Sequence, residues 1–179
     1  MQLCAETIEW IYVMPGVLKF DGDCLIVLRR SLLANAPNEG CALLLGEEKK
    51  SDTFPGNGLW NVQFVWPCCN IWGLEILSSF QTETESSSTN PGQFSRQNRF
   101  AVDPREQIEA QKWGRKRNWK VLGIAHSHPE GDAFPSSKDL DWGIPGLMVI
   151  VASSGAIQGW WLTPERTLQT LKLDYLSDS

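Results

Sequence analysis

An α/β fold with a mixed sheet flanked by helices is predicted, and three features of the sequence predict it. Short apolar or alternating runs of strand length recur at 42–45, 60–67, 121–125, 147–152, 157–162 and 167–173. A segment with a strong helix-start signature, Asp103-Pro104-Arg105-Glu106, falls between the second and third of these runs. A Ser153-Ser154-Gly155 turn joins two of the later runs as a hairpin, so antiparallel pairing is expected beside a strand–helix–strand crossover.

Taken in order, residues 8–13 are apolar and are expected to pack on the core as a strand or an extension. Residues 25–27 read as a short strand and 29–35 as a short helix. The fully apolar run 42–45 reads as a buried strand ending at Gly46, with Glu39 at its mouth. In 60–67 strict alternation puts Val62, Phe64 and Trp66 on one face and Asn61, Gln63 and Val65 on the other. From 78 to 98 the chain is rich in Ser, Thr, Gln and Asn, too polar to offset the entropy of its own ordering, and a flexible loop is expected. Asp103 as N-cap, Pro104 at the first helical position and Glu106 at the third start a helix expected to reach about Asn118. Residues 121–125 form a buried strand that delivers His126 and His128 at its end, and 147–152, 157–162 and 167–173 complete the sheet. Most of the nine tryptophans are expected in the core, with Trp142 lining a cleft.

The chemistry is concentrated in His126-Ser127-His128-Pro129, followed by Pro135-Ser136-Ser137-Lys138-Asp139, which gathers both histidines of the chain beside a serine and an aspartate. Residues two apart on an extended segment point to the same side, so His126 and His128 can address one ion while Ser127 faces away. Asp139 supplies a third ligand. Two imidazoles and one carboxylate suit zinc, and three protein ligands leave a fourth tetrahedral position open for chemistry. Ser136 and Asp139 also read as a capping box starting a short helix through Leu140, a role compatible with the metal site. Glu130 and Asp132 read as solvated loop carboxylates, and Asp141 does not share a helix face with Asp139. A zinc deaminase is rejected: His128-Pro129-Glu130 matches His-x-Glu, but the adjacent Cys68 and Cys69 lie upstream instead of forming a downstream Pro-Cys-x-x-Cys. Those cysteines are expected to pack beside Trp66.

These strings, with Pro145-Gly146, resemble the signature of the JAMM (MPN+, Mov34/MPN/PAD-1) zinc metalloproteases of the prokaryotic single-domain type. The segment Pro37-Asn38-Glu39-Gly40-Cys41-Ala42-Leu43-Leu44-Leu45-Gly46 is similar to the family's upstream segment, in which a glutamate precedes a hydrophobic strand; Ala42 stands where the family usually carries Gly. The resemblance runs from about residue 25 to 173 and implies one MPN domain over 1–179, sandwich-like and of cytidine-deaminase-like architecture. It implies one Zn2+ per chain on His126, His128 and Asp139. It also implies that Glu39 carries a proton from water to the leaving amine and that Ser136 donates a hydrogen bond to the oxyanion. The implied reaction is hydrolysis of the amide bond after the C-terminal Gly-Gly of a ubiquitin-like or sulfur-carrier protein, and 78–98 sits where such enzymes carry an insertion over the substrate tail. Two alternatives stay open, a deubiquitinase-like enzyme acting on other conjugates and a non-catalytic MPN scaffold. Scaffolds lose one or more ligands, whereas His126, His128, Ser136 and Asp139 are all present here.

Composition agrees with one soluble globular unit, at 42% hydrophobic and 21% charged residues. Five cysteines without regular spacing argue against a disulfide framework and for a reducing cytoplasm. A net charge of -5 offers no general attraction for nucleic acid or an anionic membrane, and the basic residues Lys112, Arg115, Lys116, Arg117 and Lys120 read as a solvated helix face. Glu6 and Glu9 stand where a signal peptide needs basic residues, so a cytoplasmic protein is expected. No apolar run approaches the ~20 residues of a membrane span. A homodimer is compatible with this composition.

Overall fold

The computed structural model describes residues 14–49, 58–73 and 95–174. The expectations for residues 8–13 and for 78–94 fall outside that range. Among the described residues seven strands are found: β1 (Val17–Phe20), β2 (Cys41–Lys49), β3 (Leu59–Cys68), β4 (Lys120–His128), β5 (Gly146–Ala152), β6 (Ile157–Leu162) and β7 (Leu168–Asp174). They run in the order β1-β3-β2-β4-β5-β6-β7 and close into a barrel, because β1 pairs in parallel with both β3 and β7. β4 and β5 are also parallel, while the remaining neighbours are antiparallel. The sheet is therefore mixed and carries helices, as expected, but it closes into a barrel instead of the cytidine-deaminase-like architecture that the resemblance implies. The strand that closes it, β1, has four residues and no signature of its own, and its partners lie far away in sequence.

Helix α1 (Cys24–Leu33) replaces the predicted strand at 25–27 and helix at 29–35. Leu25, Leu28 and Leu32 are buried at helical spacing, and this stripe outweighs the strand preference of Ile26 and Val27, which remain partly exposed. The stripe packs with Leu18, Ala42, Leu44, Val62, Val65, Ala125 and Val149 in one core cluster. The opposite face of β2 carries Cys41, Leu43 and Leu45 into a second cluster with Ala110 of helix α2 (Pro104–Arg115). Both faces of β2 are thus covered, which is why 42–45 is apolar without alternation. Full burial of each of these leucines stabilises the fold by about 1.5–3 kcal/mol.

Two local devices set the registers. The pairing of β2 with β3 shifts between Leu45 and Gly46, so that Leu45 opposes Phe64 and Gly46 opposes Val62. This bulge absorbs Gln63 and reverses the predicted faces beyond it: Val62 and Val65 enter the α1 cluster, while Trp66 packs toward α2 and Phe64 lies 4.5 Å from the ring of Trp113. Gly46 is required there, since a Cβ would meet the Asn61 carbonyl oxygen at 1.8 Å. Helix α2 starts as predicted, with the Asp103 side chain accepting from the Arg105 N–H at 2.8 Å. It stops before Asn118, which adopts a left-handed φ of 59° as the chain turns into β4. Lys112 and Lys120 of the basic stretch pair with Glu109 and Glu48 at the surface. Among the described residues no helix is long and apolar enough to cross a membrane.

Candidate metal centre

Strand β4 is held on both sides, to β2 as far as Cys41↔His126 and to β5 as far as His128↔Ala152. Alternation turns the His126 and His128 rings to one side and Ser127 to the other. The Ser127 hydroxyl accepts from the Gly40 N–H at 2.9 Å and lies 3.4 Å from the Leu32 carbonyl, to which it donates, while the Ser127 N–H donates to the Gly40 carbonyl at 3.0 Å. The end of α1, the Glu39–Gly40 turn and β4 are clasped at one point. Gly40 admits no side chain, because its Cβ would lie 2.4 Å from the Leu32 carbonyl oxygen.

Asp139 arrives from a different element, the short helix α3 (Ser137–Trp142). Its N-cap is Ser136, whose N–H and hydroxyl both donate to Asp139 Oδ2 at 2.7 Å, while the Asp139 N–H returns a bond to Ser136 Oγ at 3.3 Å. The capping box is formed as predicted. It points the carboxylate at the histidines: His126 Nε2 is 3.3 Å from Asp139 Oδ1, His128 Nε2 is 3.3 Å from Oδ2, and the two Nε2 atoms are 3.0 Å apart.

This triangle fits a metal ion. Donors ~2.1 Å from a tetrahedral centre stand ~3.4 Å apart, close to the separations found. His128 Nδ1 lies 2.9 Å from the Asp132 carbonyl, which only accepts, so Nδ1 carries a proton, and whenever the ring is neutral its Nε2 lone pair faces the carboxylate. Facing acceptors at this distance require a positive charge between them, either a proton or a cation. The electrostatics follow. Burial lowers the pKa of His126, helped by His128, against the pull of Asp139. For His128 burial acts in the same direction, but the Asp139 carboxylate outweighs it and the pKa rises. Burial also disfavours the charge on Asp139, yet the hydrogen bonds from both histidines and Ser136 prevail and hold its carboxyl far below the usual range. His126 is fully buried, stacked on Phe100 with ring centroids 4.6 Å apart.

Glu39, remote in sequence, is brought in by register. Continuing the antiparallel pairing Cys41↔His126 by two residues sets Glu39 opposite His128. Glu39 is 6% exposed, and its backbone N–H donates to the Arg96 carbonyl at 2.7 Å while its carbonyl accepts from the Asn70 side chain at 2.9 Å. Burial, together with the Asp139 carboxylate, pushes its pKa up to about 8 against the opposing charges of His128, Lys138 and Arg99.

Four of the five predicted site residues, His126, His128, Ser136 and Asp139, are in direct contact, and Glu39 lies near enough for the charges of His128 and Asp139 to act on it. Asp132 contributes through its carbonyl and not its carboxylate, and Glu130 and Asp141 form no part of the triangle. Trp142 lies 61% exposed beside the site, with the Arg99 guanidinium 4.6 Å from its ring and 4.6 Å from that of Trp72. The clasping role of Ser127 and the contacts of Asn70, Arg96 and Phe100 have no counterpart in the sequence reading. Asn70 joins Glu39 to the Arg99 carbonyl, and segment 95–98, assigned to the flexible loop by sequence, is packed against Glu39 through Arg96. No motif marks these residues, since the contacts of Ser127, Asn70 and Arg96 run through backbone groups. Of the cysteines, Cys68 is buried with its thiol 3.4 Å from the Trp66 carbonyl, and Cys69 is exposed.

Comparison with known proteins agrees with this geometry. The family model of prokaryotic homologues of the JAB domain matches residues 23–163. A desampylase of Pyrococcus furiosus is 32% identical over 78 residues, which cover 41% of this chain and 54% of that protein, so the match spans about half the length of this curated relative. The solution structure of a protein from Desulfitobacterium hafniense superposes with a TM-score of 0.64 at 20% identity, covering 90% of this chain and 94% of its own. One from Salinibacter ruber does so with a TM-score of 0.53 at 23% identity, covering 90% and 93%. These likenesses concern the fold. With the family model covering most of its length, the chain belongs to the prokaryotic homologues of the JAB domain.

Proposed function

We propose that this protein is a zinc-dependent isopeptidase of the JAMM type, hydrolysing the amide bond after the C-terminal Gly-Gly of a ubiquitin-like or sulfur-carrier protein. The observation that carries this reading is a buried Glu39 carboxyl on which the charges of His128 and Asp139 act. A structural metal site has no need of a buried carboxyl beside its ligands, whereas a hydrolytic one does. The family membership and the relative named a desampylase support the enzyme class.

His126, His128 and Asp139 would hold the ion. A bound zinc would polarise the scissile carbonyl and make water acidic enough to be deprotonated near neutral pH. Glu39 takes the proton from the attacking water and returns it to the leaving amine. Burial strengthens the Glu39 carboxyl as a base in the metal-free site, and the charge of a bound cation would oppose that shift and favour the carboxylate that accepts the proton. Ser136 donates to the oxyanion by turning its hydroxyl away from Asp139, while its backbone N–H keeps the carboxylate in place. Ser136 and Trp142 are exposed at the edge of an otherwise buried ligand set, an arrangement that suits a substrate delivered as an extended tail. We propose a cytoplasmic location, which the irregular spacing of the five cysteines favours.

The test is zinc content after purification without added metal, set against a His126→Ala, His128→Ala double variant. About one zinc per wild-type chain and none in the variant is expected. A wild type that binds no zinc even on addition refutes the metal assignment.

A further inference from the structure

Of the three ligand side chains, Asp139 sits on the least supported element. Helix α3 has six residues and buries none of them, and a helix of that length is not stable on its own in water. Its N-terminus is closed by the Ser136 capping box. Its C-terminus is closed from elsewhere in the chain: Nη1 of Arg166 donates to the Leu140 carbonyl at 3.1 Å and to the Gly143 carbonyl at 2.5 Å. Between those two bonds the Gly143 N–H donates to the Asp139 carbonyl at 2.9 Å, so the backbone of the ligand itself lies within the anchored turn. A guanidinium there also meets the negative end of the helix dipole.

Arg166 is held in an unusual way. It lies on the turn between β6 and β7, where the Arg166 N–H donates to the Thr163 carbonyl at 3.0 Å and the Thr163 N–H to the Thr167 carbonyl at 2.9 Å. Its φ is 65°, a left-handed conformation that glycine adopts freely and a long side chain does not. An arginine at this position is a conformational cost to the turn, and the contact that offsets it is the one with α3. A second guanidinium reaches the same end of the helix, since Arg99 lies over the ring of Trp142, the last residue of α3.

We propose that Arg166 is a positioning residue for the metal: the β6–β7 turn fixes the C-terminal end of α3 and thereby the distance of Asp139 from His126 and His128, with Arg99 on Trp142 as a supporting anchor. The proposal rests on the metal reading above. It predicts that the affinity for zinc is tuned from a turn that touches neither the ion nor the substrate.

Arg166→Gly tests it, because glycine suits the backbone conformation and removes the side chain. The midpoint of thermal unfolding of the metal-free protein should be unchanged. Its zinc affinity, measured by competition with a chromophoric chelator, should fall about 10–100-fold, the usual consequence of losing a group that orients a ligand. Arg166→Lys, which keeps a donor for the carbonyls, should recover part of that loss. In the metal-free protein, amide exchange at Leu140 and Gly143 should quicken in Arg166→Gly while the amides of β4 keep their protection. Wild-type affinity with unaltered exchange at α3 would overturn the proposal, and so would an affinity loss accompanied by a fallen midpoint. If the wild type binds no zinc the metal reading fails by itself, and the exchange measurement still decides whether Arg166 holds the helix.

Discussion

The two halves of the candidate centre are built in opposite ways. Glu39, His126 and His128 stand on or beside β2 and β4, where ladder bonds, the Ser127–Gly40 clasp and two core clusters hold the backbone. Asp139 and Ser136 stand on a helix with no buried residue, held by a capping box and by guanidinium groups from other segments. The first half cannot move without disrupting the barrel, whereas the second can be released by losing a few polar contacts. Chemistry and stability should therefore separate by half. Substitutions on the sheet side that change volume affect both, and substitutions on the helix side affect metal binding with little effect on the fold.

The largest effect is expected from a sheet-side change that keeps volume. Glu39→Gln should lower kcat/KM for a Gly-Gly-linked substrate by about 10²–10⁴-fold while zinc stoichiometry stays the same. Retained turnover would remove Glu39 from the proton transfer. Next comes pH. In the metal-free fold Glu39 keeps its proton up to about 8, while in the unfolded chain it releases it near 4.5. Between those values the folded state binds more protons, so this group's contribution to stability is present below pH 4.5 and is lost as pH rises toward 8. The effect is on the order of a few kcal/mol. The stability difference between wild type and Glu39→Gln, followed by chemical denaturation across that window, isolates it from the opposing shifts of His126 and His128; a flat difference would contradict the burial of the carboxyl.

The contrast between the halves is sharpened by a pair of variants. His126→Ala removes a fully buried ring stacked on Phe100 and should lose zinc and also destabilise the metal-free protein by about 2–4 kcal/mol. Asp139→Asn should weaken zinc binding and also forfeit the carboxylate's contacts with the histidines, at a smaller cost to metal-free stability than His126→Ala. Equal destabilisation by both would erase the distinction. The smallest effect is expected from Ser136→Ala, at about 1 kcal/mol of local stability from the lost cap, read by amide exchange in α3, with a fall in kcat and not in KM if the hydroxyl serves the oxyanion.

Much of the site was legible in the sequence because its geometry is local. His126 and His128 are two apart on a strand, and Ser136 and Asp139 are three apart at a helix start, so alternation and capping alone orient all four. Glu39 was legible only through resemblance, because its approach depends on the antiparallel register of β2 against β4, a long-range fact. The same limit explains the misread faces of β3, where one bulged residue inverts everything beyond it, and the barrel closure, which depends on a four-residue strand with two distant parallel partners. Helix α1 was misread locally: Ile26 and Val27 favour a strand, but the leucine stripe decides once there is a core to bury it. The supports of α3 and Glu39 were invisible for a different reason, because Arg166, Arg96 and Asn70 act on backbone carbonyls and N–H groups whose positions no side-chain pattern encodes.

The most direct measurement is cleavage of a ubiquitin-like protein joined through its C-terminal Gly-Gly to a reporter, followed by mass spectrometry with the zinc-loaded protein before and after chelation. The account predicts scission after the second glycine, lost on chelation and regained when zinc is restored. A folded, zinc-loaded protein that leaves every Gly-Gly linkage intact, or cuts equally well after its metal is stripped, would contradict it.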